Sequence, residues 1–253
     1  MPDGPLIEAR GIVRRFGHVH ALQGAEFDVG RGEIVGLIGD NGAGKSTLIR
    51  ILSGADRPDS GEILVNGRPT HFSGPQDARA VGIETIYQDL SLAPDLDTAA
   101  NVFLGRELFK PGLLGWLGVL DKSRMARRAG EGMARLGVPI RGSEVFNLSG
   151  GQRQSVAVAR AAMWATSVIF MDEPTAALGV VQTRGVLDLI RRVRDAGISV
   201  ILISHNLPQV LEIADRIFIL RLGRTVGQVT ASTTTLDDLV MAMMSGMVPG
   251  EAA

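Results

Sequence analysis

The chain of 253 residues has no cysteine, which excludes a disulfide scaffold and any thiolate-bound metal and agrees with the cytosol. Charge of one sign is lacking too. Lys and Arg number 26 against 27 Asp and Glu, the net charge is -1, and no five like charges stand together. That leaves no electrostatic footprint for gripping a phosphate backbone, so no nucleic-acid partner is expected. Long apolar runs are absent as well. The most lipid-like stretch, LLGWLGVL at 113–120, falls far short of the roughly 20 residues that span a bilayer. Any work at a membrane is therefore expected to go through a partner, and this stretch is expected to pack inside its own subdomain, the alternative being that it forms part of the dock for that partner. The start, MPDGPLIEARG, has an acid and two prolines where an export signal has basic and apolar regions. The chain is read as unexported, without internal repeats or low-complexity tracts.

What the chain does have is 45% apolar residues, enough for one large α/β domain or a core with an inserted subdomain. Short buried-strand patterns recur at 34–39, 168–172, 199–203 and 216–220, separated by helix-length stretches. That alternation predicts a largely parallel sheet with helices on its faces. Around the first of these strands, LIEARGIVRRF, EFDVGRGE and GEILVNGRP alternate or are bounded by turns, which predicts an antiparallel β layer near the N-terminus. No strand pattern shows between about 95 and 145, so a helical insertion is expected there. STTTLDDLVMAMMSG reads as a closing helix with a Ser/Thr start.

GLIGDNGAGKSTLIRIL at 36–52 leaves the first strand, is rich in glycine and enters a helix pattern. Gly39 to Ser46 fit the spacing G-x-x-x-x-G-K-[ST]. Glycines let backbone N–H groups turn inward around phosphate oxygens, and the helix N-terminus adds partial positive charge at the same place. Gly39, Asp40, Asn41, Gly42, Ala43 and Gly44 are thus a candidate phosphate cradle. Lys45 is expected to reach the β- and γ-phosphates, Ser46 to ligate Mg2+, and Thr47 to donate toward the α-phosphate side.

The stretch VIFMDEPTAALG at 168–179 runs apolar residues into Asp172 and Glu173. An apolar strand ending in an acid, beside the phosphate-loop strand, puts that acid at the carboxyl edge where parallel sheets bind ligands. Asp172 is expected to hold Mg2+, directly or one ligand removed, and Glu173 to orient or activate water. One of the pair could instead cap the following loop.

Many phosphate-loop proteins share this much, and NLSGGQRQSVAVARA at 147–161 separates them. A Ser hydroxyl and two glycine N–H groups at a helix start form a second anion site with no lysine of its own. A plain capped helix accounts for Ser149 but not for Gly150, Gly151 and Gln152 together. Leu148 to Gln152 match the signature motif of ABC-type ATPases residue for residue, and the chain resembles that family over nearly its whole length. The resemblance implies one nucleotide-binding domain over 1–253. Its fold would be α/β, a P-loop NTPase with a mainly parallel sheet, an N-terminal antiparallel β layer and a helical subdomain inserted at about 95–160. It also implies that two domains pack head to tail, the signature of one closing on the γ-phosphate of ATP held by the other. One chain supplies one of each motif, so a second copy is implied.

By the same resemblance Phe16 in VRRFGHVHAL stacks on adenine, Gln88 in IYQDLSL touches Mg2+ or the attacking water and senses the membrane partner, and His205 in VILISHNLP contacts the γ-phosphate. Within the family, GEIVGLIGDNGAGKSTLIRILSG, GIETIYQDLSLAPDLDTAANVFLGRE and DEPTAALGV are similar to the ATPases of bacterial monosaccharide importers. Membrane permease subunits and, indirectly, a sugar-binding protein outside the membrane are the implied partners. The implied place is peripheral, on the cytoplasmic face of the cell membrane. An ABC ATPase of another transport system, or a non-transport ABC protein, is the alternative. Gly179 stands where many family members have Asp in a loop that crosses to the partner's site, which leaves the coupling between sites open.

Overall fold

Runs of buried β-branched residues too short for helices become strands, and the amphipathic stretches between them become helices. A computed structural model of the chain describes residues 4–139 and 144–248. Residues 1–3, 140–143 and 249–253 lie outside that description. With them go the first positions of the stretch read against an export signal and four positions of the expected helical insertion.

In chain order, β1 (Ile7–Phe16), β2 (Val19–Val29) and β3 (Ile34–Ile38) lead into α1 (Lys45–Leu52), β4 (Ser60–Val65), β5 (Arg68–Pro69), α2 (Pro75–Ala80) and β6 (Ile83–Ile86). Four helices follow: α3 (Thr98–Phe103), α4 (Leu113–Trp116), α5 (Lys122–Arg135) and α6 (Gly150–Trp164). The chain then runs through β7 (Val168–Asp172), α7 (Val180–Asp195), β8 (Ser199–Ile203), α8 (Leu207–Ile213), β9 (Arg216–Arg221), β10 (Arg224–Thr230) and α9 (Leu236–Ser245). These elements divide into two compact units, Met1–Gln88 with Ala165–Pro174 and Val193–Ala253, and Asp89–Trp164 with Thr175–Arg192.

The first unit holds both sheets. One is antiparallel, in the order β2-β1-β4-β5, and the other runs β10-β9-β3-β8-β7-β6. In the second sheet every pair is parallel except β9 with β10. The α/β class with a mainly parallel sheet and an antiparallel N-terminal layer is therefore as expected. β3 and β8 are buried at every position, which is why they read as continuous apolar runs rather than alternating ones. Leu48 and Ile51 of α1 share one core cluster with Ile7 and Phe27 of the antiparallel sheet and with Leu37, Phe170 and Ile203 of the parallel one.

Two readings change. β7 is not beside β3, because β8 lies between them; which parallel strands pair depends on crossover connections that local sequence does not encode. The sheet also gains β6 and the antiparallel edge strand β10. β6 has only four residues, two of them half-buried, and so little apolar signal.

The second unit is helical. α5 buries Met125, Ala129 and Met133 along one stripe, starts on the Asp121 carboxylate, which accepts from the Arg124 N–H over 3.0 Å, and packs with α3 and α6. Trp164 closes α6 against α3, with its ring edge-on to Phe103 and its indole N–H donating to the Val102 carbonyl. LLGWLGVL does not pack inside this unit. Leu113, Leu114, Trp116 and Leu117 are exposed, because a four-residue helix is too short to turn one face inward.

A fully buried serine ties β8 to the turn that feeds β3. The Ser199 hydroxyl donates to the Gly30 carbonyl over 2.8 Å and accepts from the Gly32 N–H over 2.9 Å. Ser199→Ala leaves both groups without this partner and is expected to lower stability by about 1–3 kcal/mol, read from the midpoint of urea unfolding.

Candidate active site

The register of the parallel sheet lines up Leu37 of β3, Ile203 of β8 and Asp172 of β7. The loop after β3, His205 after β8 and Glu173 after β7 therefore leave the sheet at one carboxyl edge. Gln88 leaves at that edge too, since Ile86 of β6 pairs with Met171 of β7.

The loop from Gly39 to Gly44 curls through positive φ at Gly39, Gly42 and Gly44. At two of these positions no side chain fits. A Cβ on Gly39 would stand 2.1 Å from the Leu220 carbonyl oxygen, and one on Gly44 would stand 2.6 Å from that of Ala21. Asp40, Asn41 and Gly42 are exposed, whereas Ala43 is buried. Lys45 opens α1 and folds back into this loop, its ammonium donating to the carbonyls of Gly39 over 2.6 Å and Asp40 over 3.0 Å. Ser46 and Thr47 follow on the first turn, exposed and half-buried. Burial holds the Lys45 pKa below its ordinary value, opposed by the charges of Glu173, Asp172 and Asp40.

Burial pushes the Asp172 carboxyl up, and the charge of Glu173 adds to this against the pull of Lys45. Glu173 itself has φ 51, left-handed for a residue with a side chain. Its N–H donates to the Ile203 carbonyl over 2.9 Å. One carboxylate oxygen accepts from the His205 N–H over 2.9 Å and lies 2.8 Å from its ring Nδ1. The other accepts from the Ser204 hydroxyl over 3.3 Å. The structure thus joins Glu173 to His205, and Ser204 is a member of the cluster that sequence reasoning missed, although it stands next to the histidine.

Phe16 ends β1, half in solvent at 46% exposure. The Arg14 guanidinium lies 4.7 Å from its ring centroid and is itself held by Asp56 and Asp59 at 2.7 and 2.9 Å. This support was also missed. The i, i+2 spacing of Arg14 and Phe16 on one strand face is the signal that could have found it.

In the second unit, Ser149 caps α6. Its hydroxyl accepts from the Gln152 N–H over 3.4 Å, and the Gln152 side chain accepts from the Ser149 N–H over 2.9 Å, a reciprocal capping box. The Arg153 guanidinium donates to the Leu148 carbonyl over 2.8 Å. A Cβ on Gly151 would stand 2.8 Å from the Gln182 side chain, and one on Gly179 would stand 2.6 Å from the Gln182 amide oxygen. Gly150 has no such neighbour; a Cβ there would meet only Leu178 at 3.5 Å, an ordinary contact.

A family model described as ABC transporter matches residues 22–176. The chain is 49% identical over 257 aligned residues to the fructose import ATP-binding protein of Rhizobium meliloti, covering 100% of this chain and 99% of that one. It is 43% identical over 240 residues to the xylose/arabinose import ATP-binding protein of Sulfolobus acidocaldarius, covering 95% and 94%. Among solved structures, a dimeric ATP-binding cassette in a post-hydrolysis state bound to ADP and Pi superposes with a TM-score of 0.72 at 23% identity, covering 89% of this chain and 98% of that one. That last likeness bears on the fold alone.

The folded protein holds the Asp172 proton more tightly than the unfolded chain does, so the ionised carboxylate costs stability above the raised pKa, and the cost fades as pH falls through it. Asp172→Asn is expected to raise the melting temperature by about 2–4 °C in mildly alkaline buffer, and by less in acid. Thermal unfolding followed by circular dichroism at several pH values checks both sign and trend.

Proposed function

Because this chain belongs to the ABC transporter family, we propose that it is the ATP-hydrolysing subunit of an importer, coupling ATP binding and hydrolysis to uptake of a monosaccharide through a partner permease. One observation carries the ATPase part: the buried ammonium of Lys45, the acids Asp172 and Glu173, and His205 share one sheet edge. The choice of a sugar has separate support, the full-length likeness to proteins named for fructose import and for xylose and arabinose import. We take 1–253 as one nucleotide-binding domain with a helical insertion at about 95–160.

In this reading the N–H groups of the 39–44 loop surround the phosphates, and the Lys45 ammonium exchanges the Gly39 and Asp40 carbonyls for β- and γ-phosphate oxygens. Thr47 donates on the α-phosphate side. Phe16, backed by Arg14, offers its ring to adenine. The Glu173 carboxylate orients the attacking water and accepts its proton, its two oxygens keeping acceptor capacity beside the three contacts they now make. His205 then turns to the γ-phosphate, and Gln88 reports on the site to the permease.

No group of three or more His, Asp or Glu among the described residues is set to hold a metal alone. Asp172, Ser46 and Gln88 instead fit Mg2+, which favours one or two carboxylates together with substrate phosphate oxygens. The repulsion between Asp172 and Glu173 is what a divalent cation would relieve. When bound, the ion would neutralise charge on the phosphate oxygens.

The second anion site, Ser149 to Gln152, belongs in this reading to a head-to-tail pair of two copies, each signature facing the other's phosphate loop. Among the described residues no helix is long and apolar enough to cross a membrane. In this reading the pair works at the cytoplasmic face of the cell membrane under permease subunits, with a sugar-binding protein on the far side supplying the sugar.

Glu173→Gln is expected to leave nucleotide affinity unchanged by calorimetry while turnover falls by about a hundredfold to ten-thousandfold. Parental turnover in that variant would refute the assignment of the base. Gly150→Ala is expected to keep stability within about 1 kcal/mol, since the added methyl meets only an ordinary contact with Leu178, yet to cut ATP hydrolysis by the assembled pair at least about tenfold by crowding the anion site. Urea unfolding and a phosphate-release assay measure the two effects side by side.

A further inference from the structure

Between α3 and α5 the chain makes a short excursion whose backbone is closed and whose side chains are uncovered. At its base Phe109 and Leu120 form an antiparallel bridge, with the Lys110 N–H donating to the Val119 carbonyl over 2.9 Å and the Asp121 N–H to that of Leu108 over 2.7 Å. At the tip α4 turns the chain, the N–H groups of Trp116 and Leu117 donating to the carbonyls of Gly112 and Leu113. Gly115 is required within it, because a Cβ there would stand 1.9 Å from the Lys110 carbonyl oxygen. These backbone bonds close within the excursion and fix the outward set of its side chains.

Those side chains are apolar. Leu113, Leu114, Trp116 and Leu117 are 72%, 50%, 82% and 61% exposed. A cluster of large apolar side chains held in solvent marks a binding surface. Exposed basic residues flank it in the chain, Lys110 before it and Lys122, Arg124, Arg127 and Arg128 after it on α5; on the side of its base, Leu120 and Lys122 line a cavity with the acids Asp95, Asp97, Glu107 and Glu144. The two acids of the stretch, Glu107 and Asp121, accept from the backbone N–H groups of Gly105 and Arg124. Trp and Leu beside Lys and Arg suit the boundary of a bilayer, where apolar groups enter the acyl region and cations meet headgroups.

We propose that this tip, with its basic rim, inserts into the surface of an anionic lipid bilayer and holds the subunit against the membrane that contains its permease. The inference rests on the reading of the chain as a transporter subunit at the cytoplasmic face. Charge decides between lipid and protein as the occupant. Cytoplasmic loops of membrane proteins carry an excess of Lys and Arg, so they repel the rim that anionic headgroups attract.

Flotation of the full chain with vesicles of phosphatidylcholine alone, or mixed in equal parts with phosphatidylglycerol, tests this without nucleotide or permease. The chain is expected to bind the anionic vesicles, to bind the neutral ones weakly, and to be released by salt. Trp116→Ser combined with Leu113→Ser is expected to lower binding to anionic vesicles at least about tenfold, with ATP hydrolysis unchanged. Lys122→Glu with Arg124→Glu is expected to lower it severalfold and to flatten its dependence on salt. No binding of the parent chain, or equal binding by the Trp116 and Leu113 variant, overturns the proposal. So does loss of permease co-purification in that variant with vesicle binding intact, which would make the tip a protein dock. Failure of the ATPase reading shows instead as absent hydrolysis with vesicle binding untouched.

Discussion

The Lys45 ammonium sets the terms for everything at the carboxyl edge of the parallel sheet. The residue is only 9% exposed, and a charge drawn that far from water is costly unless polar groups surround it. Two carbonyls of its own loop do so, and they converge only because the loop curls through positive φ. That curl depends in turn on strands from both sheets, since the Leu220 carbonyl of β9 and the Ala21 carbonyl of β2 occupy the space beside Gly39 and Gly44. The lysine's present partners are neutral dipoles. A phosphate oxygen bears full charge and makes a stronger bond to the same ammonium, so the geometry that satisfies Lys45 alone also leaves it ready to exchange partners.

Glu173 is where this edge stores strain. A left-handed backbone is uncommon for a residue with a Cβ and costs on the order of 1–2 kcal/mol. The conformation is over-determined by its surroundings: the backbone N–H is bonded to Ile203, and the carboxylate takes the His205 backbone, its ring and the Ser204 hydroxyl. All of these partners lie at or just beyond the end of β8, the strand between β7 and β3. The pairing of β7 with β8, Asp172 opposite Ile203, is thus what brings the glutamate and the histidine together.

Legibility in the sequence followed the range of the interaction. β3, β7, β8 and β9 could be read because strands buried on both faces leave continuous apolar runs, and the chemistry-bearing residues stand within a few positions of their ends. The glycine spacing of 39–46 could be read because a backbone that must curl and approach others closely tolerates little else. Contacts across distance could not. Arg14 meets Asp56 and Asp59 more than 40 residues away, and Gln182 meets Gly151 across a gap that no local pattern spans. LLGWLGVL shows the opposite failure: hydropathy records what a segment is made of, not whether anything covers it.

The signature stretch shows most clearly what a fold can explain about its own sequence. Ser149 and Gln152 cap a helix reciprocally, a role that any Ser-x-x-Gln pair can fill. Gly151 makes room for Gln182, and Gly179, the residue that departs from the common family pattern, makes room for the amide of the same side chain. An aspartate at 179 would displace only the exposed end of that flexible side chain, so packing within this chain does not require the glycine. Gly150 stands apart. It has no positive φ among the glycines that do, its Cβ would meet nothing closer than 3.5 Å, and in the first turn of a helix alanine serves better than glycine. A residue that the fold does not need, and that costs helix stability, is what the proposed closure of a second copy's phosphate on this turn would account for.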